Sequence, residues 1–422
     1  MKLEKFSRKW NGLLHFDNQT DYFSLVDKIC LLFEQRPPIT KRTAIKVIWT
    51  ALSVLHGLQY FGFTIQMIRR MNKSSRNVSE LTTITNMLVM LGVSVVRGLC
   101  LAYNRNDLIK LKNFVNSKTC QRDNPIAFEQ RKNTYQKINK FLIAYYSISV
   151  TNASLYSLTT GFQEDVFKIP YLLERLPEKV ALSINVCTST MHIPWCCTVW
   201  YSATQLLSIM YVLHTELRII IDQFKHIYEK VAVNHVLQSS DIILLTQEQK
   251  TLFLAELNSR FSNALAYHSE FIKYLQLFQK TSSKNFCILF IVGAIIITVN
   301  TGIFILEPTI EQLPLLIVSI QFTTEIYCCC TMFQSLENEN NRITQYIYAL
   351  DWINDLGSLT TLDDRKYSKS IHRNALMLLA QVKNGIKFRV GGMFSLDLKT
   401  FTDLIRSVYS LLTLMMRTMS DV

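Results

Sequence analysis

Two apolar runs, Phe286–Leu306 and Leu313–Phe333, stand six residues apart and contain no Asp, Glu, Lys or Arg except Glu325. Each has about the 20 residues that a helix needs to cross the hydrocarbon core of a bilayer. In that core every backbone N–H and C=O must be satisfied within the segment, and a continuous apolar run of this length does so only as a helix. The pair therefore commits the chain to a helical membrane protein. Composition agrees: 49% of the 422 residues are hydrophobic and only 18% are charged, against about 25% charged in a soluble domain.

Hydropathy predicts seven spans: Thr43–Met67, Leu81–Tyr103, Phe141–Thr160, Val180–Leu213, Phe286–Leu306, Leu313–Phe333 and Phe394–Met416. The first, second and seventh carry charges, and the fourth is longer than a bilayer requires. The first 40 residues mix charges with short apolar runs, so no signal peptide is expected and insertion is expected to begin at the first span. No internal repeat or low-complexity segment is visible.

Loop charges set the orientation. With the N-terminus inside, the inner segments hold 33 Lys and Arg and the outer loops hold 7. Basic residues accumulate on the cytoplasmic side, so the expectation is N-terminus inside and C-terminus outside. The same asymmetry accounts for the net charge of +13 and removes the argument for a nucleic-acid partner. Two glycosylation sequons, at Asn72 and Asn77, fall in the first outer loop, as that orientation requires. Sequons at Asn18 and Asn152 fall inside and within a span, and are expected to stay unmodified.

The long inner segments are not linkers. Leu252, Leu254, Leu257, Phe261 and Leu265 recur at helical spacing among charges, as do Ile343, Tyr346, Ile347, Leu350 and Trp352, and then Ile371, Leu376, Leu379 and Val382. Such amphipathic periodicity predicts inward extensions of the spans that pack into a helical intracellular anchor region. The expected plan is residues 1–333 for the tail and the first six spans, 334–393 for the anchor and 394–422 for the seventh helix with a short outer tail.

No catalytic motif emerges. Gly-rich phosphate loops, His-Glu-x-x-His and nucleophile elbows are all missing, so no enzyme and no cofactor is expected. His192 and Cys196 have the i,i+4 spacing of a helical metal pair, but no second pair lies nearby and packing is the better reading. No cysteine falls in an expected outer loop, which argues against a disulfide framework. Glu325 within the sixth span needs a partner, and Arg97 of the second span can supply an interior ion pair. A small apolar ligand would find aromatic and Met side chains in the outer halves of spans two, three, four and six: Met87, Met90, Ser149, Asn152, Tyr156, Met191, His192, Trp195 and Phe322.

The last span is the least like a lipid-facing helix. At 100° per residue, Arg406, Ser407, Ser410, Leu414, Arg417 and Thr418 lie within about 60° of Asp403. Leu404, Ile405, Val408, Leu411, Leu412, Met415 and Met416 lie elsewhere. This stripe fits either a bundle-buried helix with an Asp403–Arg406 ion pair or the wall of a water-filled pore.

The C-terminal third resembles the insect odorant receptors. The resemblance runs over residues 335–418. Its elements are the Asn-rich Ser335–Asn340, then Ile347-Tyr348 and Trp352, and an amphipathic helix around Arg373–Gln381. Gly391-Gly392-x-Phe394-Ser395-Leu396, Thr400-Phe401 and Tyr409-Ser410 follow. Val408 and Leu411 depart mildly from the family's pattern. The resemblance implies a ligand-tuning subunit of a non-selective cation channel, in a tetramer with the olfactory coreceptor. It implies a small volatile organic ligand held in the outer half of the bundle, and residence in the plasma membrane of a sensory dendrite, among membrane lipid. By position, Ser407, Ser410, Leu414, Arg417 and Thr418 would line the pore, with Leu414 the constriction. Four copies of Arg406 and Arg417 would set positive rings in a cation path, which favours a mixed channel. The nearest alternative is a gustatory-type homotetramer. A G-protein-coupled receptor would need the opposite orientation and lacks its Asp/Glu-Arg-Tyr and Asn-Pro-x-x-Tyr elements here. A transporter would usually show repeats and broken helices.

Overall fold

The computed structural model of the chain describes residues 14–32, 43–73, 78–159, 177–180, 183, 192–234, 246–348, 362–383, 385–392 and 394–420. Among these the helices are α1 (Ser24–Leu32), α2 (Thr43–Lys73), α3 (Val78–Tyr103), α4 (Arg105–Ser117), α5 (Pro125–Thr159), α6 (His192–Val199), α7 (Tyr201–Lys225), α8 (Ile227–Asn234), α9 (Gln247–Leu306), α10 (Leu313–Tyr348), α11 (Leu362–Lys383) and α12 (Leu398–Ser420). The only described strands, β1 (Arg389–Val390) and β2 (Phe394–Ser395), form an antiparallel ribbon with Val390 opposite Phe394.

Helix α9 is the spine. It runs 60 residues, about 90 Å at 1.5 Å per residue, and packs against α10, α11, α3, α12 and α7. Its start is written in Thr246-Gln247-Glu248-Gln249. The Gln249 N–H donates to Thr246 Oγ1 at 3.4 Å and the Thr246 N–H donates to Gln249 Oε1 at 3.1 Å, a reciprocal capping box. The apolar runs of the fifth and sixth expected spans thus sit in helices far longer than a bilayer requires. Phe253, Leu254, Leu257, Phe261, Phe271 and Phe278 of α9 are fully buried, with Ile343 and Ile347 of α10 and Ile371, Leu378 and Val382 of α11 beside them.

These stretches of α9, α10 and α11 pack together, with the apolar face rotated from the expected one in two places. Leu252 and Leu376 are exposed, and Phe253, Ala375 and Leu378 take the inward positions. Leu350 and Trp352 lie outside the described residues.

By length and apolar composition, three described helices can cross a membrane: α3 from Ile84 to Tyr103, α9 and α10. Helices α2, α5, α7 and α12 fall below that standard. Helix α2 touches the bundle chiefly through α3 and exposes Val47, Ile48, Leu52, Leu58 and Phe61.

Two expected spans differ from the structure. The fourth is not continuous: it breaks at Trp200, whose indole packs 5.5 Å from Tyr145 and 4.7 Å from Phe322 between ring centroids. The Trp200 carbonyl accepts both the N–H and the hydroxyl of Thr204. The seventh begins at Leu398 and not at Phe394, because Gly391 and Gly392 take φ of 57° and 76°. Those left-handed values turn the chain into the ribbon at low steric cost only with glycine.

The amino-terminal segment is fixed by one buried cation. Lys118 donates from Nζ to the carbonyls of Asn18 (3.1 Å) and Thr20 (2.5 Å), and lies 4.9 Å over the Phe16 ring and 5.2 Å over Tyr22.

Candidate ligand pocket and pore face

Four helices close around a cavity of about 70 Å³. Helix α3 contributes Met87, Met90 and Leu91. Helix α5 contributes Asn152, Ala153 and Tyr156, which share one face by their i,i+3 and i,i+4 spacing. Helix α6 contributes Trp195, Cys196 and Val199, and the start of α10 contributes Pro314, Leu315 and Val318. Trp195 is braced from behind by Tyr60 and Phe63 of α2, at 5.3 and 5.6 Å. The Tyr156 hydroxyl donates to Met87 Sδ at 3.4 Å. The one amide, Asn152, donates from Nδ2 to the Pro314 carbonyl at 3.2 Å.

Five of the nine pocket residues expected from sequence therefore border one cavity: Met87, Met90, Asn152, Tyr156 and Trp195. Ser149 and Phe322 do not. Ser149 sits one turn deeper, donating to the Tyr145 carbonyl and accepting from Gln321 Nε2 at 2.9 Å. Phe322 is one turn beyond Val318 and fully buried against Trp200. Met191 lies outside the described residues, as does the side chain of His192. Leu91, Val199 and Val318 escaped sequence reading, although Leu91 and Val199 follow Met87 and Trp195 by four residues and Val318 precedes Phe322 by four.

A larger cleft of about 700 Å³ opens between α2, α3, α4 and the α6–α7 segment, with Asp21, Asp27, Arg105 and Lys112 among its lining. Its lining is charged, so it suits an apolar ligand less well than the smaller cavity that shares Trp195. Lys112 is already paired with Asp27 at 2.8 Å.

Beneath the cavity, polar residues pair with one another. Arg97 forks onto Glu325, with Nη1 at 3.2 Å from Oε2, and its Nε donates to Asn285 Oδ1 at 2.9 Å. Asn285 returns a bond to the Arg97 carbonyl at 3.1 Å. Arg97 and Glu325 are each about 1% exposed, which is the interior pair expected from sequence. Asn86 bonds Asn300 about three turns along α3 from Arg97, beside Met87.

Helix α12 presents its polar stripe away from the bundle. Asp403, Arg406, Ser407, Ser410, Leu414 and Arg417 are exposed, while Val408 is buried and Leu404, Leu412 and Met415 are half-buried. The side chain of Thr418 is outside the described residues. Asp403 and Arg406 pair at 3.7 Å on the open face, so within this subunit the buried-helix reading of the stripe fails. Ser407 and Ser410 donate to the carbonyls of Asp403 and Arg406. The start of the helix is capped twice: Asp397 Oδ1 accepts from the Thr400 N–H at 2.7 Å, and Gln334 Oε1 from the Leu398 N–H at 3.1 Å. In its C-terminal half, Met415 reaches so close to Gly302 of α9 that a Cβ there would meet Met415 Cε at 2.0 Å.

The profile of the 7tm odorant receptors matches residues 77–409 of the chain, a stretch that takes in α3 through most of α12. The chain belongs to the odorant receptor family. Its fold is that of solved members. The insect olfactory receptor OR5 from Machilis hrabei superposes with a TM-score of 0.68 at 10% identity, over 94% of this chain and all of that one. The same receptor in complex with eugenol gives 0.64 at 11% identity, with 94% and 100% of the two chains covered. No curated protein matches the sequence. As an odorant receptor the chain is a membrane receptor and not an enzyme.

Proposed function

We propose that the chain is the odorant-binding subunit of a ligand-gated, non-selective cation channel, assembled as a tetramer with the olfactory coreceptor. It spans the plasma membrane of a sensory neuron dendrite seven times, with its N-terminus inside and its C-terminus outside. The observation that carries this reading is the outward-facing stripe of α12. A charged and hydroxylated face cannot lie against lipid, and Asp403, Arg406, Ser407, Ser410 and Arg417 are all exposed on the isolated subunit. Water in a pore between subunits satisfies that face. Leu414, 60% exposed on the same stripe, is the hydrophobic constriction that closes the pore by dewetting.

The cavity bordered by Met87, Met90, Asn152, Tyr156 and Trp195 is the odorant site. Ligand pockets commonly hold about 300–1,000 Å³, so a cavity of about 70 Å³ is contracted. Met87 and Met90 are the side chains able to yield, since an unbranched thioether repacks easily. A ligand that fits the expanded cavity shifts the population toward it. Helix α10 links the two ends: Pro314, Leu315 and Val318 border the cavity, and Tyr327 packs 5.4 Å from Phe401 of α12.

Cysteines at Ser407, Ser410 and Leu414, tested in cells that also express the coreceptor, examine the pore assignment. Charged thiol reagents are expected to block odorant-evoked current at these positions and to spare a cysteine at Val408. Block at Val408 with none at Ser410 or Leu414 contradicts the assignment.

A further inference from the structure

We infer that the cavity selects ligands that donate a hydrogen bond, alcohols and phenols in preference to ethers and ketones, and that Asn152 makes the selection. The inference rests on the cavity being the odorant site. Asn152 borders it and is only 5% exposed. Its Nδ2 is held by the Pro314 carbonyl at 3.2 Å. That bond fixes the amide, because a flip would set one oxygen against another. The other end, Oδ1, is buried and has no hydrogen-bond partner among the described residues.

A buried acceptor left unsatisfied costs about 1–3 kcal/mol, and a ligand hydroxyl that donates to it recovers that cost. An ether or ketone oxygen offers no proton and would instead oppose Asn152 Oδ1. Apart from the Tyr156 hydroxyl and the Trp195 indole N–H, the rest of the lining is hydrocarbon, sulfur and aromatic ring, so it reads chiefly bulk.

Matched probes test the inference in cells expressing the chain with the coreceptor: benzyl alcohol with benzyl methyl ether, phenol with anisole, and 1-hexanol with methyl pentyl ether. Half-maximal concentrations for current are measured for wild type, Asn152→Leu and Met87→Trp. In wild type the donor of each activating pair is expected to act at about tenfold lower concentration. Asn152→Leu is expected to bring the pair within about threefold by weakening the donor alone. Met87→Trp, which fills the cavity, is expected to weaken both members. Equal potency of alcohol and ether in wild type, or no donor among the activating probes, overturns the inference with no variant needed. If Met87→Trp still weakens both members in that case, the cavity stands as the site and only the donor rule falls. Unchanged responses in Met87→Trp overturn the site and the inference together.

Discussion

The Arg97–Glu325 pair shows what a single residue carries in this fold. Two charges that are each about 1% exposed persist only because each neutralises the other, with Asn285 holding the Arg97 side chain and carbonyl. Glu325→Leu leaves a guanidinium buried without its counter-charge, which costs about 3–5 kcal/mol. The expected outcome is loss of surface expression and a lower thermal midpoint in detergent. The double variant Arg97→Met/Glu325→Leu is expected to recover most of that loss, because the pair contributes little net stability beyond an apolar replacement. A double variant no better than the single one contradicts this account. The partnership was legible in sequence because charges within apolar spans have few places to go. The Lys118 cage was not, since its carbonyl partners are 98 and 100 residues away and no periodicity joins them. His268 makes a pH prediction at the same scale. Buried between Asn340 and Gln381, it has its pKa pushed below the ordinary imidazole value, first by desolvation. The unfolded chain then binds a proton that the folded chain refuses, so this contribution to stability is full above about pH 6.5 and is lost as pH falls below it. The thermal midpoint of wild type is expected to drop more between pH 7.5 and 5.5 than that of His268→Gln. Parallel curves contradict the prediction.

Helices were read from sequence more securely than their ends. The apolar runs located the fifth and sixth spans and the amphipathic repeats found the inner halves of α9 and α10, because both signals are long. The start of α12 was misplaced by four residues. Phe394 and Leu396 look like a helix onset, yet two glycines at positive φ make them a ribbon, and Asp397 three residues before Thr400 is the true cap signal. The break at Trp200 left no trace, since no Gly or Pro stands within five residues of it. Asp397→Ala removes the cap and is expected to lower stability by about 1 kcal/mol, read as a shift in thermal midpoint. Leu414→Ser at the proposed constriction is expected to raise basal current or change ion selectivity at normal surface expression. Gly302 argues for close seating of α12 on α9: Gly302→Leu is expected to displace the C-terminal half of α12 and alter gating, whereas Gly302→Ala meets only the flexible ends of Met415 and Leu412 and is expected to be mild. Equal effects of the two contradict that seating.

At the scale of the molecule, the fold matches Machilis hrabei OR5 across 94% of the chain at 10% identity. A helical fold survives such divergence because it rests on patterns of apolar and polar residues and not on identities. The pocket was half legible: aromatic and Met positions could be named, but rotation and depth put Ser149 and Phe322 a turn too deep. The proposed orientation predicts that an epitope at the N-terminus is inaccessible in intact cells, that one at the C-terminus is accessible, and that Asn72, exposed on the last turn of α2, carries glycan. Asn77 lies outside the described residues and shares the expectation. The central claim is that this subunit binds a volatile ligand to open a cation pore it shares with the coreceptor. Whole-cell recording across a volatile panel, with the chain alone, the coreceptor alone and both together, tests it most directly. The account predicts ligand-evoked, non-selective cation current only for the pair, lost with Met87→Trp for cavity ligands. A robust cation current from this chain alone, or a current unchanged by Met87→Trp, would contradict it.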